Sequence, residues 1–353
     1  MNDPLTVLVL GVGGNVSQGI LKALALSDLR PRVIGACVSH LSTGLYTVDR
    51  AYVSPPASDP TFLEWLIEVC ERDGVGAILS GVEPVLAALS QKAELIRDRT
   101  GAVSLVSSPD RLEVGQDKLL TARWLAERGF NAPRTADLSD RAGVEAVVAE
   151  CGYPLVAKPR HGKGGQGIFA VEGPVDLEYV RQRPGYVLQE QLGDADGEYT
   201  VACFADREGR LRGTLAMKRE LLDGTTLRAT VVDEASVRDE AARIVSALEP
   251  LGPANVQLRL SHGRPVCFEI NVRFSGTAPI RARLGFNDVE AALRHFVLGE
   301  QPHDLPLVTE GVALRYWNEI YIDPAARDEL ERSGRLADPL SHPLAVEDYG
   351  RPA

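Results

Sequence analysis

The chain has 353 residues, 44% of them apolar and 25% charged, which leaves room for two or three domains at about 150 residues each and excludes a disordered chain. Its 49 acids against 38 bases give a net charge of −11, the wrong sign for a protein whose main partner is a phosphate backbone. No run approaches the ~18 apolar residues of a membrane span, and an acid stands at position 3 where a signal peptide would carry bases, so a cytoplasmic chain without nucleic-acid or membrane partners is expected.

Through the first hundred residues short apolar runs alternate with amphipathic stretches. Strands are expected over 5–10, 32–38, 77–80 and 103–106, and helices over 16–26, 62–72 and 85–96. Such alternation predicts an open α/β unit with a parallel sheet covered on both faces. Ser108-Pro109-Asp110 opens a short helix, and a longer one over 117–128 stops at Gly129. From Tyr153 the pattern tightens into a strand ending at Lys158, a glycine-rich turn over 160–167, a strand over 168–171, a helix over 175–182 and a strand over 187–192. Those elements suit a small α+β subdomain. Long alternating runs over 199–205, 211–218, 256–260 and 266–272 predict antiparallel strands, with a helix over 237–248 between them. The last thirty residues, punctuated by Pro324, Pro339, Pro343 and Pro352, read as an irregular tail. The implied boundaries are 1–112, 113–192, 193–320 and 321–353.

Five scattered cysteines and six histidines show no CxxC, HExxH or HxH spacing, so zinc chemistry and a disulfide framework have no support. Gly11-Val-Gly13-Gly14-Asn15-Val-Ser17 follows a strand and opens a helix, as a dinucleotide fingerprint would. The spacing fails, because Val16 stands where the third glycine belongs, and no acid follows the second strand. A nucleophile elbow fails too, since Asn15 replaces its first glycine. A tight strand-to-helix turn explains the cluster, and an anion site at the helix start is the alternative.

The stronger signal is Lys158-Pro-Arg160-His-Gly162-Lys163-Gly164-Gly165-Gln166-Gly167, a lysine at a strand end followed by four glycines in six residues. Glycines let successive backbone N–H groups turn toward anionic oxygens, and the lysine adds a fixed positive charge. A flexible hairpin would explain the glycines but not Lys158 beside them. Downstream, Asn255-Val-Gln257 is followed by Glu269-Ile-Asn271-Val-Arg273. Alternation puts Glu269, Asn271 and Arg273 on one face of a strand and Phe268, Ile270 and Val272 on the other. An acid, an amide and a guanidinium together suit Mg²⁺ held between protein oxygens and phosphates; an ordinary polar outer face is the plainer reading.

From about residue 117 to 273 the sequence resembles the ATP-grasp superfamily, in particular the modules of carbamoyl-phosphate-synthase large subunits and single-module amino-acid ligases such as the pyrrolysine-pathway ligase. The resemblance rests on Lys118 in Gln-Asp-Lys, Lys158, the 162–167 loop, Val187-Leu-Gln-Glu190-Gln191-Leu192, Glu198, Gln257, Glu269, Asn271 and Arg273 in that order. It implies an ATP-grasp fold: an N-terminal Rossmann-like parallel-sheet domain, a small glycine-loop lid and an antiparallel-sheet C-terminal subdomain. It implies that Lys118 and Lys158 contact ATP phosphates and that Gly162, Lys163, Gly164, Gly165 and Gly167 close over them. Glu190 and Leu192 would line the adenine hinge, with Gln191 the alternative to Glu190 because Asp194-Ala-Asp196 lengthens the following segment. Glu198 would accept the ribose hydroxyls. Gln257, Glu269 and Asn271 would hold one or two Mg²⁺ ions, replaceable by Mn²⁺, and Arg273 would face the transferred phosphoryl group. Lysines at 118 and 158, where the synthase modules carry arginines, give the set a ligase-like cast.

Phosphoryl transfer needs in-line positioning and neutralised charge more than a dedicated base, which two lysines, metal-binding oxygens and an arginine supply. The expected enzyme is an ADP-forming ligase joining a small carboxylate to an amine through an acyl phosphate. A bicarbonate-activating enzyme and a non-catalytic ATP sensor are the rivals, and the family makes a homodimer an expectation. For the substrate carboxylate the sequence offers Arg219, Arg228 or Arg281, arginine presenting a fork suited to a carboxylate, with Lys218 a further catalytic candidate beside them; solvated surface arginines are the plainer reading. Glu83, at a strand end, either faces the cleft or caps the helix after it.

Overall fold

Thr6–Leu10 is buried along its whole length, as a continuous apolar run between two helical layers must be. The computed structural model, which describes residues 4–162, 165–193, 197–222 and 224–346, places this strand inside a six-stranded sheet. The order is Arg335–Leu336, Arg50–Val53, Arg32–Cys37, Thr6–Leu10, Ala77–Ser80 and Val103–Ser104. The last five run parallel, and Arg335–Leu336 adds an antiparallel edge.

That edge strand corrects the expectation of an irregular tail. Pro324–Ser333 is a helix whose N-cap, Asp323, accepts from the Ala325 N–H at 2.9 Å, and whose end is Gly334 at φ +67°. Proline at the first helical position is preorganised for a helix rather than opposed to one. Ala326 and Leu330 anchor the helix in the same core as Val7 and Val9, and Leu344–Val346 pairs with Ile320–Ile322.

The second sheet is antiparallel, with order Thr135–Asp137, Tyr186–Glu190, Leu155–Pro159, Phe169–Val171. It packs with the helices Arg141–Cys151 and Pro174–Arg181 around its own core of Val144, Leu155, Ala157, Val171 and Leu188. The third sheet runs Arg264–Asn271, Gly252–Ser261, Glu198–Ala205, Leu211–Leu222, Thr225–Val231, Val312–Leu314, antiparallel throughout. Tyr199, Val201 and Cys203 leave one face to meet the helix Ala235–Leu248. Ala202, Phe204, Leu215 and Met217 leave the other and join the core of the N-terminal sheet. Two consecutive helices, Pro109–Gln116 and Lys118–Glu127, connect the units. Gly115 sits where a Cβ would lie 2.8 Å from the Ile270 carbonyl oxygen, so the linker lies directly against the 264–271 strand. No helix among the described residues is long and apolar enough to cross a membrane.

Candidate active site

Antiparallel register assembles the floor of a cleft from residues far apart in sequence. Glu198 stands opposite both Arg219 and Arg259, Thr200 opposite Gln257, Gln257 opposite Glu269, and Asn255 opposite Asn271. Their side chains form one hydrogen-bonded chain. Arg219 donates through Nε to Glu198 Oε1 at 2.8 Å and through Nη2 to Gln257 Oε1 at 2.7 Å. Gln257 Nε2 and Asn271 Nδ2 then both donate to Glu269 Oε1, at 3.1 and 2.9 Å.

The opposite wall comes from the small sheet. Asp117 caps the Lys118–Glu127 helix by accepting from the Leu119 and Leu120 N–H groups. Its carboxylate also receives Arg160, which reaches Asp137 at 3.0 Å as well. This pins the root of the glycine loop to the start of the helix, and Lys118 Nζ donates to the Gly162 carbonyl at 3.0 Å. Lys158 is 6% exposed, with Nζ 5.7 Å above the Phe268 ring. Burial pushes its ammonium down to about 8, and Lys118 adds to the effect while Glu269 and Glu198 oppose it. Burying a cation is costly even with carboxylates acting on it from a distance, and an entering phosphate would relieve that cost.

The third wall is the N-terminal sheet. Ser17 Oγ donates to Leu10 O at 2.8 Å and accepts from Gly81 N–H at 3.0 Å, so one hydroxyl ties two parallel strand ends together. The first glycine cluster is a packed turn: Gly11 has φ +74°, and a Cβ on Gly13 would meet Ser42 Oγ at 2.6 Å. Gly14, Asn15, Val16 and Ser17 nonetheless line the cleft. Glu83 opens the Glu83–Thr100 helix, Val82 being the N-cap residue, and its carboxylate receives Arg273 Nη2 at 3.2 Å. The first domain therefore positions the arginine expected to meet the phosphoryl group.

The three walls enclose about 370 Å³, enough for a small-molecule ligand. Of the residues expected from the sequence, Lys118, Lys158, Gly162, Gly165, Glu198, Arg219, Gln257, Glu269, Asn271 and Arg273 line it. Lys163 and Gly164 lie outside the described residues. Gly167, at φ +72°, is a turn position whose Cβ would meet Tyr186 Oη at 2.7 Å.

Several expectations need correction. Glu190 turns its carboxylate to the Arg134 N–H at 3.1 Å, and the Leu192 carbonyl receives Arg259 at 3.5 Å beside Glu198, so an adenine-hinge role for Glu190, Gln191 and Leu192 is a proposal. Lys218 sits opposite Tyr199, its Nζ 5.2 Å from that ring, and therefore leaves the face away from Arg219. Arg228 is an exposed residue bonded to Glu220 at 2.5 Å. Arg281 is 1% exposed and paired with the buried Asp288 at 2.5 Å. Its Nη1 also donates to Ser275 Oγ at 2.7 Å and Thr277 Oγ1 at 3.0 Å, so it braces the 275–277 wall from behind. Arg219 is engaged by Glu198 and Gln257. Glu198, in turn, holds Arg219 and lies 3.5 Å from Arg259.

The cleft is also lined by Asn255, Phe268, Ser275, Gly276 and Thr277, to which the sequence assigned no site role. Asn255 was signalled by its place two residues before Gln257. Phe268 was not: a bulge pairs Gln257 with Glu269 but Leu258 with Cys267, skipping residue 268 and turning its ring into the cleft.

Residues 182–320 match a family model described as ATP-grasp in the biosynthetic pathway with Ter operon, and residues 7–101 match one described as the PylC-like N-terminal domain. The carbamoyl phosphate synthase large chain of Halobacterium salinarum is 25% identical over 376 aligned positions covering 97% of this chain. This chain spans only 36% of that protein. Among solved structures, N5-carboxyaminoimidazole synthetase from Staphylococcus aureus complexed with ADP superposes with a TM-score of 0.70 at 16% identity, covering 93% of this chain and 85% of that one. L-amino acid ligase from Bacillus licheniformis gives 0.62 at 19%, covering 82% and 73%. An ATP-grasp family model thus matches the C-terminal part of the chain, a PylC-like model matches its first hundred residues, and the whole fold is shared with solved ATP-grasp-type structures.

Proposed function

We propose that the chain is an ATP-dependent carboxylate–amine ligase that works through an acyl phosphate and releases ADP and phosphate. The observation that carries this reading is the convergence of Lys158, Lys118, Arg273 and the Gln257–Glu269–Asn271 cluster on one cleft between three subdomains. Lys158 and Lys118 would hold the phosphates, and Gly162 and Gly165 line the cleft beside them. Glu269, Gln257 and Asn271 carry the carboxylate and amide oxygens that Mg²⁺ takes; Glu269 Oε1 accepts N–H bonds from both amides, so the two amides would turn their oxygens toward the ion when it binds. When bound, Mg²⁺ supplies neutralising charge to the phosphate oxygens.

Arg273, fixed by Glu83 and by its own bond to the Phe274 carbonyl at 3.0 Å, would stabilise charge on the moving phosphoryl group. A substrate carboxylate oxygen attacks the γ-phosphorus, the bond to the bridging oxygen breaks, and ADP leaves. The amine lone pair then attacks the acyl carbon, the C–O bond to phosphate breaks, and the surplus amine proton passes to solvent. The glycine loop would keep water from the acyl phosphate in between.

Hydroxylamine traps acyl phosphates as hydroxamates. Incubation with Mg-ATP, hydroxylamine and pooled amino acids or small carboxylic acids should yield a hydroxamate from one pool, and the Glu269→Gln variant should yield none. ATP cleavage without hydroxamate from any pool, or hydroxamate from the variant at the wild-type rate, would defeat the acyl-phosphate reading.

A further inference from the structure

Every arginine that the sequence offered for a substrate carboxylate already has a carboxylate partner: Arg219 has Glu198, Arg228 has Glu220, and Arg281 has Asp288. Arg315 differs. Its guanidinium donates to Asn15 Oδ1 at 3.2 Å and to the Gly276 carbonyl, both neutral acceptors, and it forms no ion pair among the described residues. Burial alone pushes its ionisation below the ordinary arginine value, the mark of a cation held in place without a counter-charge.

Arg315 lines a second cavity, of about 170 Å³, which shares Asn15, Thr225 and Thr226 with the nucleotide cleft. Lys22 supplies a second positive charge to that cavity, and no acidic side chain lines it among the described residues. In a chain of net charge −11, a pocket whose charged groups among the described residues are two cations selects for an anion. Beside the polar Asn15, Gln18, Thr225 and Thr226, the lining includes the apolar or aromatic Leu227, Pro279, Tyr316 and Trp317. Trp317 is 82% exposed and Tyr316 69%, so two large rings stand in water beside the pocket. Exposed aromatic surface of this kind, rimmed by polar groups, marks a binding site.

We propose that this pocket is the subsite for the amine substrate of the ligase, and that this substrate is an α-amino acid with an apolar or aromatic side chain. Its carboxylate lies on Arg315 and Lys22, its side chain lies against Tyr316 and Trp317, and its amine points past Asn15 and Thr226 into the cleft. The assignment rests on the ligase reading for the role of the amine, while the pocket's chemistry rests on its own lining. The carboxylate held at Arg315 is a spectator: the amide forms at the nitrogen, and the phosphorylated carboxylate belongs to the other substrate.

The test uses the full chain with a non-hydrolysable Mg-ATP analogue bound, monitored by calorimetry and by tryptophan fluorescence. The probes are L-phenylalanine, L-leucine and L-tryptophan, each against its carboxamide, which lacks the negative charge. Saturable binding of at least one amino acid, at least tenfold tighter than its amide, is expected. Arg315→Met should abolish the preference for the acid. Because Arg315 also braces Gly276, the exposed Lys22→Gln and Trp317→Ala variants provide separate tests, each weakening binding severalfold without changing nucleotide affinity. Equal binding of acid and amide, no binding by any probe, or full binding by all three variants overturns the assignment. If the nucleotide analogue itself fails to bind, the ligase reading falls; if it binds and the amino acids do not, only the subsite falls.

Discussion

Replacing Lys158 by methionine should stabilise the free protein while weakening its hold on ATP, two effects of opposite sign from one buried charge. The drop from the ordinary 10.5 to about 8 corresponds to about 3 kcal/mol at ~1.36 kcal/mol per pH unit. Below about pH 8 the lysine is protonated in both folded and unfolded chains, and the whole penalty is present. Between about 8 and 10.5 the unfolded chain holds a proton that the folded chain has lost, so stability rises with pH across that window. Lys158→Met keeps the stem beside Phe268 and removes the charge, so at pH 7 the nucleotide-free variant should melt roughly 5 °C or more above wild type, at about 2–4 °C per kcal/mol. Its affinity for ATP should fall about 10–100-fold, the loss of a charge-assisted hydrogen bond of about 1.5–3 kcal/mol. Scanning fluorimetry at pH 7 and 9.5, with calorimetric titration of nucleotide, reads both effects. A variant that melts at or below wild type at pH 7, or that still gains stability between pH 8 and 10, would refute the assignment of a Lys158 whose desolvation outweighs the pull of Glu269 and Glu198.

Three further outcomes follow from the same geometry. Because phosphate binding requires the protonated lysine, the Kd for ATP should rise up to about tenfold per pH unit above pH 8, measured by titration calorimetry; a flat profile from pH 7 to 9.5 contradicts it. Glu83→Gln removes the carboxylate that fixes Arg273, so kcat should fall about tenfold with nucleotide Kd unchanged, by about 1.4 kcal/mol in the transition state alone; equal loss in both would make Glu83 a structural residue only. Arg281→Met strands Asp288 in the core, where breaking a buried pair costs about 3–5 kcal/mol. Urea denaturation should show a loss of that size, with the double variant Arg281→Met/Asp288→Leu recovering most of it.

Most of the cleft floor was legible in the sequence because period-two alternation and antiparallel pairing are local rules: Glu269, Asn271 and Gln257 meet as their spacing implies. The lysine beside the glycines was legible for the same reason. What escaped is what depends on registry or on distant partners. Phe268 enters the cleft because a bulge breaks the alternation. Lys218 and Arg219 are neighbours in sequence, yet only the pairing of Glu198 with Arg219 decides which one faces the site. Arg281 and Arg315 look equally available as sequence; one is neutralised by Asp288, seven residues on, and the other by no acid among the described residues. The C-terminal helix was misjudged because Pro324 was weighed as a breaker, although Asp323 before it and Gly334 after it are ordinary helix signals.

Product analysis of Mg-dependent ATP turnover tests the central claim most directly. With the correct pair of pooled carboxylate and amine substrates, the account predicts equimolar ADP, inorganic phosphate and a new amide mass. AMP with pyrophosphate would contradict the acyl-phosphate route, and ADP released at the same rate with no organic substrate present would contradict a ligase.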